Sequence, residues 1–126
     1  MSEQKQLLAI IELGGYPNLM PVYQRLGFKA GLVTTQRKVK AWLKRQQSDM
    51  VVAEYNYQTD FRDRSSNLET LTAVLQRYPD VKLLVLYPPE HAAVFDNFRK
   101  THKVWKTVAF PITEQKVTEA LSDLAP

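Results

Sequence analysis

Two glutamates stand where a carboxylate could do chemistry. Glu12 lies near the end of the apolar stretch 7–13, and Glu54 lies near the end of the stretch 50–55. If those stretches are neighbouring strands, the two acids, with loop carbonyls and water, could hold a divalent cation such as Mg²⁺. No third ligand is evident, so two acids near strand ends are the simpler reading. Gly14-Gly15 invites comparison with phosphate-binding loops, but neither G-x-G-x-x-G nor G-x-x-x-x-G-K-[ST] is present, and a tight turn accounts for the pair. His91 and His102 fall at the two ends of one helical segment, too far apart to share a metal. Ser65 and Ser66 have no base nearby and suit turn and cap duty. The absence of cysteine excludes thiolate zinc sites, cysteine nucleophiles and disulfides, and it fits a reducing compartment. No catalytic constellation emerges, which points to a non-enzyme without metal or cofactor.

Contact chemistry is better represented. The segment 56–65 carries Tyr57, Asp60, Phe61, Arg62, Asp63 and Arg64. Aromatics beside arginines are common in contact surfaces, although the opposite charges there could also pair locally. Between residues 13 and 48 there is no acid, while Arg25, Lys29, Arg37, Lys38, Lys40, Lys44 and Arg45 are basic. The excess contributes to a net charge of +4 and implies a positive field at one end of the fold. Aromatic interleaving is poor, and Trp42 falls on an apolar stripe where burial is expected, so an acidic protein fits this patch better than nucleic acid.

The elements that must position these residues follow from periodicity. Apolar runs of strand length at 7–13, 30–34, 50–55, 82–87 and 106–110 alternate with amphipathic segments, the pattern of a parallel sheet buried on both faces. The spacing predicts helices over 18–26, with Pro17 and Pro21 near its first turn and Gly27 ending it, and over 36–47, with Val39, Trp42 and Leu43 on one face. A third opens at Ser66 with Glu69 at capping-box spacing and an apolar stripe of Leu68, Leu71 and Leu75. The fourth follows Pro88-Pro89 and buries Val94, Phe95 and Phe98. The fifth starts at Thr113, with Ile112 and Val117 at hydrophobic-staple spacing. Five strand-then-helix units in series, within 126 residues, imply one doubly wound α/β domain with right-handed crossovers. The N-terminal apolar run is too short for a signal peptide or membrane span, so a cytoplasmic location is expected.

The third strand, with Glu54 at its end, and the fifth strand's exit through Phe110, Pro111, Ile112 and Thr113 give the chain a resemblance to the receiver domain of bacterial response regulators. The resemblance spans essentially the whole chain and implies a flavodoxin-like five-stranded sheet of order 2-1-3-4-5. It places Glu54 where receivers carry the phosphoaccepting aspartate and Phe110 where they carry lysine. Tyr87 or Pro88 stands in the place of a threonine or serine, and Glu12 alone in place of paired magnesium-binding acids. Thr107 replaces the aromatic that couples phosphorylation to output. The resemblance also implies a cis Phe110–Pro111 peptide.

These departures are chemically disabling. Phosphoryl transfer needs an in-line nucleophile, a cation and a further positive group. A glutamate displaces the nucleophile by about one methylene, and phenylalanine removes the positive partner. One carboxylate also imitates a phosphate poorly, since the phosphate carries about −1.5 to −2 charges and three acceptor oxygens. Glu54 therefore reads as a solvated loop acid. What is expected is a phosphorylation-independent interaction module in a bacterial signalling assembly, with a protein partner, acidic in character, or a second copy of the chain. By resemblance, its contact face includes Phe98, Lys103, Trp105 and Lys106, although Phe98 and Trp105 could equally belong to the core. The alternative is a small-ligand binder or enzyme that uses a pocket at the strands' carboxyl ends near Glu12, Tyr55, Tyr87, Phe110 and Pro111.

Overall fold

Short runs rich in branched apolar side chains pair into the strands β1 (Gln6–Ile10), β2 (Lys29–Val33), β3 (Met50–Glu54), β4 (Lys82–Tyr87) and β5 (Lys106–Ala109). The structure, a computed structural model, describes residues 5–12, 14–35, 37–46, 48–55 and 68–123. All pairings are parallel and the order is β2-β1-β3-β4-β5, as the resemblance implied. Register places Leu7 beside Met50 and Glu54 beside Leu86.

Helices α1 (Met20–Arg25), α2 (Arg37–Arg45), α3 (Leu68–Leu75), α4 (Ala92–Thr101) and α5 (Glu114–Leu121) connect or follow these strands, and a 3-10 turn at Pro89–His91 leads into α4. Because side chains alternate along a strand, the sheet feeds two separate cores. Leu8, Ile10, Val51, Ala53, Leu83 and Val85 pack with Val39, Leu43, Leu71, Phe95 and Phe98, the side covered by α2, α3 and α4. Leu7, Ala9, Met50, Val52, Leu84 and Leu86 pack with Val22, Tyr23, Val117 and Leu121, the side covered by α1 and α5. β3 lies centrally and all five of its residues are buried.

Local chemistry explains the ends. β1 stops at Ile10, short of residue 13, because the Ile11 amide makes a last bond to the Val33 carbonyl and the chain then turns through Gly14 (φ 71°) and Gly15 (φ 81°). α1 begins where Asn18 Oδ1 accepts from the Met20 amide at 3.1 Å, and Gly27 ends it at φ 94°. The Thr113 hydroxyl accepts from the Lys116 amide at 3.1 Å, while Ile112 and Val117 are buried together across that start, the staple expected from their spacing. The cap expected at Ser66 lies outside the described residues. Trp42 is half-buried rather than buried: its ring lies over Gly31 of the edge strand β2 and against the core beneath α2. Among the described residues, no helix is long and apolar enough to cross a membrane.

Candidate functional site

Glu54 continues the β3 series Met50, Val52 on the α1/α5 side of the sheet, and at 3% exposure it is buried. A carboxylate there needs donors, and the loop after β1 supplies them. The Glu12 amide donates to Glu54 Oε2 at 3.2 Å, the Gly14 amide lies 3.4 Å from both carboxylate oxygens, and the Tyr16 hydroxyl donates to Oε2 at 2.6 Å. The positive φ angles of Gly14 and Gly15 curl the loop back so that amides and phenol converge on one side chain. Glu54 is therefore no solvated loop acid. It is the acceptor that fastens the β1–α1 loop onto β3.

The network extends to β5. The Tyr16 ring tilts against Phe110 with centroids 5.9 Å apart and planes at 52°, and the Phe110–Pro111 peptide is cis. The Tyr16 phenol is pushed far above its ordinary value, chiefly by burial and next by its hydrogen bond to Glu54. Tyr23, in the core under α1, is pushed up by burial alone. The unfolded chain releases these phenolic protons near pH 10, whereas the folded chain retains them, so above that pH the unfolded state binds fewer protons and stability falls as pH rises. The fall is at most about 1.4 kcal/mol per pH unit for each retained proton, and less for Tyr16, which is partly open to water. Alkaline titration followed by tyrosinate absorbance should show the Tyr16 and Tyr23 phenols ionising only with unfolding, and Tyr16→Phe or Tyr23→Phe should each reduce the absorbance change that coincides with the unfolding transition.

Glu12 and Glu54 meet through a backbone contact. Glu12 is exposed, contributing its backbone amide to the site, while the Glu54 oxygens face hydrogen-bond donors. Among the described residues, no group of three candidate metal ligands exists.

The expected carboxyl-edge pocket also divides, because the sheet separates its members. Tyr55 is buried against Phe95 at 4.8 Å between centroids, and Tyr87 packs on Phe95 at 4.9 Å, both on the α3/α4 side. Phe110 packs on the opposite side and Pro111 is exposed. Two-residue alternation puts Tyr87 with Val85 and Phe110 with Val108, so these rings do not line one cavity.

The expected contact face needs a similar revision. Phe98 is 8% exposed and stacks on His102 at 3.9 Å within the α3/α4 core, so it belongs to the interior. Trp105 is half-buried, with Lys106 Nζ 4.7 Å from its ring centroid. Lys106 is engaged within the fold, bonding Asp123 at 2.6 Å and the Ala120 carbonyl at 3.0 Å. Trp105 and Lys106 border a shallow concavity of about 590 Å³ between α4, β5 and α5, rimmed by Arg99, Lys116 and Glu119. Lys103 sits elsewhere, at the strands' amino-terminal edge. Of the basic patch, Lys38, Lys40, Lys44 and Arg45 are exposed on α2, which Arg37 opens. Phe61 and Arg62 lie outside the described residues.

Tyr16 is the functional residue that pattern reading missed. A usable signal exists: an acid in a strand buried on both faces needs a donor, and Tyr16 follows the two glycines that can turn the chain back.

No family model and no curated protein matches the sequence. Solved structures do match. The chemotaxis protein CheY4 of Vibrio cholerae superposes with a TM-score of 0.76 at 14% identity, over 97% of this chain and 99% of that one. A response regulator protein from Burkholderia multivorans gives 0.71 at 19% identity, over 98% and 97%. A response regulator receiver domain protein from Clostridium thermocellum gives 0.72 at 13%, over 94% and 92%. The chain thus has the response-regulator receiver fold.

Proposed function

We propose that this receiver-fold chain is a cytoplasmic protein-interaction module that acts without phosphorylation and without catalysis. The observation that carries the reading is the engagement of Glu54 from within: two loop amides and the Tyr16 hydroxyl hold the carboxylate that stands at the phosphoacceptor position. A nucleophile must present a lone pair in line with an incoming phosphoryl group, beside a cation and a positive side chain. Here Phe110 replaces the positive group, and its ring packs on Tyr16 instead.

Output in this reading is static. The α4–β5–α5 concavity sets Trp105 beside Arg99 and Lys116, with Lys106 paired to Asp123 and Glu119 the one acid among the described lining residues, a charge balance that suits an acidic protein surface. The test has two arms on the folded protein. Incubation with a small-molecule phosphodonor and Mg²⁺ should leave the intact mass unchanged, and a phosphate adduct would overturn the phosphorylation-independent reading. Arg99→Glu combined with Lys116→Glu should weaken binding of a captured partner at least tenfold, while Lys38→Glu with Lys40→Glu on α2 should not. Equal binding by both variants would remove this face from the proposal.

A further inference from the structure

In each strand–helix unit the helix returns antiparallel to its strand, so the carboxyl ends of α2, α3 and α4 gather at the amino-terminal edge of the sheet, opposite Glu54. A cavity of about 780 Å³ opens there between the α3–β4 turn and the α4–β5 loop, with Leu75, Leu83 and Val104 at its apolar wall and Tyr78 and Trp105 among its lining rings. A second, of about 390 Å³, continues from the same Tyr78-Pro79-Asp80-Val81 turn toward the end of α2. The larger volume is in the range of small-molecule sites, and an apolar wall with a few polar groups is their usual composition.

Among the described residues that line the two hollows the charge is one-sided, and the edge also carries the Asp49 carboxylate, which accepts from the Gln6 amide. Lys82 and Lys103 line the larger hollow and Lys44, Arg45 and Arg77 the smaller, against the one carboxylate of Asp80, which lines both. Among the described residues none of these five cations is in an ion pair, the pairs being Arg25–Glu114 and Lys106–Asp123. The bland account is that the cations complement three helix carboxyl ends. Those ends carry about −0.5 charge each, roughly −1.5 together, which five cations less the two acids Asp49 and Asp80 still exceed. Lys82 also holds its ammonium 6.0 Å from the centroid of Trp105, so charge and aromatic surface occur together. His102 adds a polar group: its Nδ1 lies 2.9 Å from Thr101 Oγ1 and 3.0 Å from the Phe98 carbonyl oxygen.

We propose that this amino-edge hollow binds a small aromatic anion. The planar body lies against Trp105 and Tyr78, and the carboxylate, phosphate or sulfonate is held by Lys82 and Lys103. This site shares Trp105 with the α4–β5–α5 face but does not rest on the phosphorylation reading, since it lies at the end of the sheet opposite Glu54.

The probe pair 1-anilinonaphthalene-8-sulfonate and its uncharged parent N-phenyl-1-naphthylamine separates charge from apolar fit. Titrated into the folded protein and followed by backbone amide NMR, the sulfonate should shift amides of residues 78–83 and 101–105. The neutral parent should bind about tenfold or more weakly, and so should the sulfonate to the Lys82→Ala/Lys103→Ala protein. Lys38→Ala/Lys40→Ala, at a distant charged surface, should bind it as the unaltered chain does. No binding, shifts centred elsewhere, or equal affinity for the neutral parent would overturn the proposal.

Discussion

Replacing Glu54 by alanine is expected to destabilise the fold by about 3 kcal/mol. Hydrogen bonds to a charged group contribute about 1.5–3 kcal/mol each, and donors left unpaired cost about 1–3 kcal/mol each. Three donors converge here, but the 3.4 Å contacts of the Gly14 amide are long, and Tyr16 is half-buried, so water can replace part of the loss. Glu54→Gln keeps one acceptor oxygen and should cost about half as much. Glu54→Met fills the same space without any acceptor and should resemble alanine, which separates lost bonding from lost volume. A double-mutant cycle with Tyr16→Phe should give a coupling of about 1–2 kcal/mol, as expected for a 2.6 Å phenol–carboxylate bond. Urea midpoints at constant slope supply these values. An alanine variant within about 0.5 kcal/mol of the unaltered protein would return Glu54 to the class of ordinary surface acids.

Gly31→Ala is the second large effect, expected at about 1–2 kcal/mol, rising to about 3 kcal/mol for valine. A Cβ at position 31 would lie 2.4 Å from both Cη2 and Cζ2 of Trp42, far inside the contact distance of non-bonded carbons. The ring must shift, and overpacking of this kind costs about 1–3 kcal/mol. Working against that cost, alanine reduces the entropy of the unfolded chain by about 0.4–1 kcal/mol and is no worse in a strand. The decisive comparison is therefore the same substitution in a Trp42→Ala background. With the ring gone, Gly31→Ala should become neutral or stabilising, a reversal of sign in the urea midpoint. Persistent destabilisation there would mean that the glycine serves the backbone rather than the tryptophan.

Both predictions rest on pairings that the linear pattern does not display. The strands were legible because each apolar run is set by local composition, and four of the five strand boundaries moved by no more than one residue at either end. β4 was placed at Lys82–Tyr87 without change. β1 ended three residues early because the loop that follows it is recruited by Glu54, a partner 42 positions away from Glu12. The charges of α2 were readable from its sequence, whereas the hollow at the amino edge was not. It is built from the end of α3 and two loops separated by about twenty residues, and only the helix returns bring them together.

What the sequence by itself determined is the succession of five strand–helix units, since residue identity and periodicity are properties of the chain alone. Which face each aromatic serves was decided by the tertiary structure: the pleat sends Tyr87 to one core and Phe110 to the other. The same holds for Glu54. Its residue type promised an exposed acid, but the central position of β3 removed water from it, and the glycine turn after β1 replaced that water with two amides and a phenol.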